Sequence, residues 1–485
     1  MNSRLMVGIL GLGLSTAISG LAGAADLPNR KVAPVAFAPT TAASWTGIYL
    51  GVQAGVGMSA AEIKLPGGTG GLDGLMGRGL FGGVRLGVDY QVSPNVVLGL
   101  IGTADFGDIG GKAKLGSETF SQEALRIDGN KFVGPADQTV GPYPGTLTYT
   151  ADGGVRVRTT DVLGLRARLG YLVTPDTLVY IAPGWASAKG TLKGNLGTIT
   201  MVDSTGGSMT DVYNASFRQS KRINGWQLGV GFESRLTDNL SANFEYVYSQ
   251  FQDLRIGGSD VKASAATGAF TAGLNYRFGV NAGAAPVRVA AAAPENWTGL
   301  YAGLSGGAGI GGAKLKLGNM ASVDGFGSVG LAGGVVLGYD YQIAPRWVIG
   351  AEFGGDLSSY DVSARETGAN AGAKISMPWA ITARARAGYL ISPGTMLFAS
   401  LGVTGGQFRV KADNAGFGIR ESSSSYGAMV GIGGGFQTAM SKNVFLRMEY
   451  QHSMLPAIKV KSIGSVPVSF EPTAGAARIS LIYKM

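Results

Sequence analysis

The chain has 485 residues, a formal charge of +9 from 40 basic and 31 acidic side chains, no cysteine and one histidine. Disulfides, thiolate catalysis, cysteine-bound zinc and multi-histidine metal sites are thereby excluded, and no dense Lys/Arg run with interleaved aromatics supports a nucleic-acid partner. Gly supplies 81 residues, more than twice the usual share of about 7%, while no run of 18 apolar residues occurs after the first 25 positions, which excludes spanning helices from the mature chain.

Two readings satisfy these limits: a pair of soluble β-sandwiches, or alternating strands with one face in lipid. Residues 1–24 read as a cleaved secretory signal, with Arg4 as the basic start, an apolar stretch from Leu5 to Ile18 and an Ala22-Gly23-Ala24 cleavage site. Residues 25–44 hold three prolines and no period, and read as an extended, periplasmic Pro/Ala tail. Alternation begins at Trp45 with WTGIYLGVQAG, and returns 252 residues later at Trp297 as WTGLYAGLSGG. In both copies one parity is small or apolar (Ile48, Leu50, Val52; Leu300, Ala302, Leu304), and the other sets a Tyr among glycines (Tyr49; Tyr301). That is a strand pattern, and its recurrence marks a duplication.

Eight strands follow from Trp45 to Phe278. The first runs to about Met58. The second, near Leu80 to Gln91, carries Val84, Leu86, Val88 and Tyr90 against Arg85, Gly87 and Asp89. The third starts at Val96, and a long polar loop is expected from about Gly110 to Gly154. The fourth sets Leu163, Leu165, Ala167, Leu169 and Tyr171 against Gly164, Arg166, Arg168 and Gly170. The fifth, from Thr177, has two nearly equal parities and contains Pro183, which cannot donate to a ladder. The sixth sets Trp226, Leu228, Val230 and Phe232 against Gln227, Gly229, Gly231 and Glu233; the seventh starts at Leu240, and the eighth ends at Phe278.

The connections at 93–95, 174–176 and 237–239 are tight, whereas the other four are long. Short turns on one rim and long loops on the other is the layout of an outer-membrane barrel, which a soluble sandwich has no reason to adopt. Residues 279–296 repeat the Ala/Pro character of 25–44. The second unit then restates the first: Gly333–Gln342 matches Gly82–Gln91, and Ile381–Gly394 matches Leu163–Asp176. Its tight turns are Ala344-Pro345-Arg346, Ser392-Pro393-Gly394 and Ser441-Lys442-Asn443.

The AxA-terminated signal, the mature start ADLP, the Pro/Ala tail, WTGIYLGVQAG and the closing AGLNYRF resemble the small eight-stranded outer-membrane proteins of alphaproteobacteria. That family includes major surface antigens of rhizobia-like and brucella-like bacteria and relatives described as haemin-binding. The resemblance covers both units and implies location in the outer membrane of a Gram-negative cell. It implies contact with outer-membrane lipids and lipopolysaccharide, an insertion signal read by the barrel-insertion machinery, and a host or surface partner it does not specify. Thr271, Gly273, Tyr276 and Phe278 fit that signal; at the C-terminus Arg478, Ser480, Tyr483 and Met485 fit it less well, with Ser for Gly and Met for the last aromatic.

The fold expected is all-β: transmembrane antiparallel up-and-down barrels, two of eight strands at 45–278 and 297–485, with one sixteen-stranded barrel as the alternative. Asp105, Arg166, Arg168 and Glu245 in the first unit, and Asp356, Arg384, Arg386 and Glu449 in the second, fall on the polar parity as balanced sets expected to pair across filled lumens; the alternative is a wet pore. Lys64, Lys112, Lys114 and Lys131 are expected in loops that could meet anionic head groups. Catalysis is not expected: His452 stands alone with no serine motif near it, and the glycines from 431 to 435 open no helix. No cofactor or metal site is expected, haem ligation through His452 or a Tyr resting on the family resemblance alone. The function expected is a structural and surface protein, with a passive diffusion porin and a haemin-binding protein as alternatives.

Overall fold

The computed structural model describes residues 44–64, 71–123, 126–128, 131–133, 144–203, 208–255, 262–279, 296–317, 321–366, 371–414, 419–454, 458–463 and 466–485. The expected signal, most of the first Pro/Ala segment and most of 279–296 lie outside these residues. Every regular element among them is a strand. The first unit holds β1 (Gly47–Lys64), β2 (Gly71–Gln91), β3 (Val96–Gly107), β4 (Ile109–Glu123), β5 (Arg126–Asp128), β6 (Lys131–Val133), β7 (Pro144–Thr174), β8 (Thr177–Asp203), β9 (Ser208–Arg235), β10 (Leu240–Phe251), β11 (Leu254–Arg255) and β12 (Lys262–Arg277). The second holds β13 (Gly299–Leu317), β14 (Ala321–Ala344), β15 (Trp347–Ser358), β16 (Asp361–Glu366), β17 (Ala371–Ser376), β18 (Trp379–Ser392), β19 (Thr395–Asn414), β20 (Ile419–Ala439), β21 (Val444–Met454), β22 (Ile458–Ile463) and β23 (Val466–Lys484).

Each unit closes on itself. In the first, antiparallel pairing runs β1–β2–β3–β7–β8–β9–β10–β12, and β12 returns to β1 from Tyr49↔Arg277 to Lys64↔Lys262. In the second it runs β13–β14–β15–β18–β19–β20–β21–β23, and β23 returns to β13 from Tyr301↔Lys484 onward. Eight strands give an interior just wide enough for side chains to fill. Outside, Leu86, Leu165, Leu169, Ile181, Leu228 and Leu274 are exposed in a belt. Tyr90, Tyr171 and Tyr276 edge it on the short-turn rim, and the register pair Trp185↔Trp226 edges it on the other. A belt of bare aliphatics between aromatic girdles is a wall made for lipid.

The long polar loop expected from Gly110 to Gly154 is largely strand. β4 pairs with the start of β7 from Ile109↔Thr159 to Glu123↔Pro144. β1, β2, β7 and β9 likewise run well past the alternation that marked them, β7 reaching 31 residues and β8 27, where about 10 suffice to span. Beyond the membrane both faces meet water, so the apolar parity lapses while the backbone ladder continues. Pro183 sits in the middle of β8 after all. It pairs with Leu228 on β9, and on the β7 side the register skips from Arg166↔Gly184 to Leu169↔Ile181, so the missing N–H falls in a gap of the ladder.

A bulge in β7 between Thr160 and Leu163 gives β7 one more residue than β8 there, with Asp161 at φ 50°. The extra residue switches parity. Arg166 and Arg168 point into the barrel below it; Arg156 and Arg158, also even-numbered, point outward above it, in register with Lys193 and Thr191.

The two barrels touch through equivalent residues. Phe232 and Phe436, which match in GFESRLTDN and GFQTAMSKN, stack with centroids 5.2 Å apart. Thr177 and Thr395, each following its Pro-containing turn, hydrogen-bond at 3.1 Å, and each also bonds its own neighbour, Ser234 at 3.2 Å or Thr438 at 2.9 Å. Residue meeting its own counterpart is the pattern of a two-fold interface. Phe232 and Phe436 are wall residues; this stack, with Phe244 edge-on to Phe436 at 4.5 Å, takes them out of the lipid belt.

Candidate functional site: the barrel interiors

Each lumen is built in layers from the short-turn rim upward. The floor is the Trp that opens the unit. Trp45 Nε1 donates to Pro175 O at 3.1 Å across the barrel mouth, and its backbone N donates to Gln91 Oε1 at 3.1 Å; Trp297 repeats both bonds to Pro393 (3.1 Å) and Gln342 (3.0 Å). Thr46 and Thr298 accept from the backbone N of the same glutamines. Both indoles are buried, and Arg235 and Arg277 stack on Trp45 at 4.6 and 5.3 Å. The W-T-G motif is thus tied across the barrel mouth to the turn between the fourth and fifth strands of its barrel.

Above the floor lies a charge network. In the first barrel Arg168 pairs with Asp89 at 2.8 Å and with Glu233, and Arg277 joins Asp89 at 2.8 Å. Ser241 donates to Glu233 at 2.6 Å. One step higher, Glu245 is held by Arg166 at 3.0 Å and by Arg85. Tyr49 and Tyr180 fill the gaps, Tyr180 lying 4.0 Å beneath the Arg168 guanidinium. Their partners across the ladder are Gly87 and Gly231, where a Cβ would run into the ring. This is why glycine crowds the polar parity.

The second barrel builds its network from partly different positions. Arg386 holds Asp340, Arg384 joins Glu352 to Glu449 (2.9 Å to the latter), Arg447 also holds Glu352, and Arg478 holds Asp356 at 2.7 Å. Tyr301 donates to Glu352 at 2.9 Å, and Gln437 accepts from Arg386 and Arg447 at 3.0 Å each.

Of the sequence-derived set, Arg166, Arg168 and Glu245 come together in the first lumen, and Arg384, Arg386 and Glu449 in the second. Asp356 pairs with Arg478, which the sequence had suggested only as part of an insertion signal. Asp105 stands apart, accepting from Gln53 rather than from an arginine. Arg85, Asp89, Glu233 and Arg277, and in the second barrel Asp340, Glu352 and Arg447, complete the networks. Arg85, Asp89 and Glu233 sat on the polar parity of their strands and could have been found there.

Above the network the first lumen has a small polar space lined by Gln53, Thr103, Asp105, Gln227, Ser249 and Thr267 among others. An apolar layer of Leu75, Leu192, Ile223 and Phe251 roofs it. The remaining candidates are placed as follows. Thr271 and Gly273 face the lumen of β12, while Tyr276 and Phe278 meet edge-on outside at 5.2 Å; Tyr483 and Met485 are exposed at the end of the chain. Lys112 and Lys114 lie on β4, in a strand rather than a loop; Lys64 ends β1, Lys131 begins β6, and their side chains lie outside the described residues. His452 faces the outer wall beside Tyr450 (3.3 Å) and Thr473 (3.5 Å), with no serine or carboxylate partner among its bonds.

A family model for the outer membrane protein beta-barrel domain matches residues 32–278 and again 282–464. The chain belongs to that family. It carries two copies of the domain and is an outer-membrane protein. A relative over much of one unit is the 31 kDa outer-membrane immunogenic protein of Brucella melitensis biotype 1, 27% identical over 268 residues that cover 53% of this chain and 92% of the relative. The 25 kDa outer-membrane immunogenic protein of the same organism is 28% identical over 148 residues, 29% of this chain and 60% of the relative. Among solved structures, the attachment invasion locus protein Ail of Yersinia pestis is similar over 37% of this chain and 99% of its own, at 17% identity and a TM-score of 0.19.

Proposed function

We propose that this outer-membrane beta-barrel protein is a structural and surface component of the envelope, with two barrels filled rather than open. The observation that carries this reading is the pair of buried charge networks. Arg85, Arg166, Arg168 and Arg277 meet Asp89, Glu233 and Glu245 with side chains no more than 3% exposed, and the Trp45 stopper lies beneath them. Such groups stay buried only because each has an opposite charge beside it; a conducting path would have to break several pairs at once. The names of the Brucella relatives as immunogenic proteins support exposure of the long outer strands at the cell surface. The exposed rings of Tyr276, Phe278 and Tyr483 at the strand ends support recognition by the barrel-insertion machinery.

Planar-bilayer recording of the purified full-length protein separates this reading from that of a diffusion porin. Filled barrels give no steady conductance of porin size. Large, steady, reproducible steps would overturn the proposal.

A further inference from the structure

On the outer wall of the first barrel, above the Trp185↔Trp226 pair, six cations stand in two cross-strand rows. Lys112, Arg156, Lys193 and Arg218 are successive register partners on β4, β7, β8 and β9. Four residues nearer the girdle, Lys189 partners Arg222. Lys189 and Lys193 share the parity of Ile181 and Trp185, and Arg218 and Arg222 share that of Trp226, so both rows face outward from the barrel and away from its lumen.

Like charges directly opposite on neighbouring strands repel. Among the described residues none of the six has a carboxylate partner to relieve this. The nearby Arg158 pairs with Asp108, and Arg222 bonds only Ser187 and the Asp161 carbonyl, at 3.2 Å each. The second barrel serves as an internal comparison. On its matching strands β19 and β20, Arg409 faces Ser424 and Lys411 faces Ser422, while on the β17 side Lys411 meets Lys374. The first barrel carries cation against cation across four successive strands. Lys112, Lys114, Arg156 and Lys193 also line a shallow concavity of about 1090 Å³.

The height of the rows names the anion. Lys189 lies four residues past Trp185, ~13 Å along the strand at the usual rise, which sets it one layer above an aromatic girdle, where lipid head groups lie. We propose that these rows bind the phosphorylated head groups of the outer-leaflet glycolipid, the phosphates supplying the counter-charge that the sheet lacks. The site is on the strand wall, among lipid, and not on the loop tips. It rests on the outer-membrane location and does not depend on whether either lumen conducts.

The test uses full-length protein refolded in detergent, with phosphorylated lipid A, enzymatically dephosphorylated lipid A and a soluble sulfated polysaccharide as probes. The wild type should retain the phosphorylated lipid and release the dephosphorylated one. The K189S/K193S/R218S/R222S variant, which replaces four of the six cations by hydroxyls, should remain heat-modifiable and bind about tenfold or more weakly, since each basic residue near an anionic surface contributes on the order of a kcal/mol. Should that variant fail to fold, salt decides on the wild type alone: binding must weaken severalfold as ionic strength rises from about 0.05 to about 0.5 M, because exposed charges are screened. Equal retention of the two lipids, an unchanged folded variant, salt-insensitive binding, or preference for the soluble polysaccharide over the lipid would each overturn the proposal.

Discussion

At single positions the two units show how a buried charge network tolerates drift. Aligned by the repeat, Arg85 corresponds to Val336, Asn243 to Arg447, Ile101 to Glu352 and Glu233 to Gln437. Each change would strand a buried charge by itself. Together they move one guanidinium from the second strand to the seventh and one carboxylate from the sixth strand to the third, and in both lumens the moved charges keep an opposite partner. The exchange is geometrically reasonable because Asn243, with its amide turned to satisfy its neighbours, accepts from Arg85 Nη1 at 3.0 Å; an arginine at 243 starts beside the place that Arg85 fills. Arg85→Val alone should therefore destabilise the protein by about 3 kcal/mol or more, since it removes one of the two cations on Glu245. Adding Asn243→Arg should restore more than half of that loss. Urea unfolding from lipid vesicles measures both; a double variant whose cost is the sum of the two single costs would show that the networks are not interchangeable.

Strands and the motifs that join them were unevenly legible. Inside the membrane, one face meets lipid and the other meets side chains, so parity alone placed Arg166, Arg168, Glu245 and their repeat partners in the lumens. Which charges meet was not legible, because Arg168 reaches Asp89 from β7 to β2 and Glu233 from β7 to β9, and only closure brings those strands face to face. Outside the membrane parity faded, and so the outer halves of β4, β7, β8 and β9 read as loop. The bulge at Asp161 misleads in another way: the run from Val155 to Arg168 looks like one alternating strand, yet its arginines divide between two faces. The W-T-G motif was visible as a repeat but not as a barrel floor, since its indole bond to Pro175 spans 130 residues. Trp45→Ala should remove that bond and leave a cavity at the barrel floor, costing about 3–5 kcal/mol. Trp297→Ala should do the same to the other barrel, and the double variant should be additive because the two floors share no partners. Additivity failing by more than about 1 kcal/mol would mean that the floors are coupled.

For the molecule as a whole, duplication could have enlarged a ring or repeated it, and the difference decides whether a channel exists. β12 turns back to β1 and β23 to β13, so the repeat is of whole barrels, each with its own tryptophan floor and its own charge network. The contact between equivalent residues, Phe232 with Phe436 and Thr177 with Thr395, is what a two-fold pair of single barrels would leave after joining end to end. A chain without cysteine offers a clean background for testing closure. Ala54 and Ala272 are register partners across the seam of the first barrel. In a sixteen-stranded ring they would lie on strands with no common ladder, and β12 would pair with β13 instead. The full-length Ala54→Cys/Ala272→Cys variant, oxidised in outer-membrane vesicles, should form an intramolecular disulfide that alters its migration after denaturation. No cross-link at this seam, with one appearing instead between cysteines placed on β12 and β13, would contradict the two-barrel account.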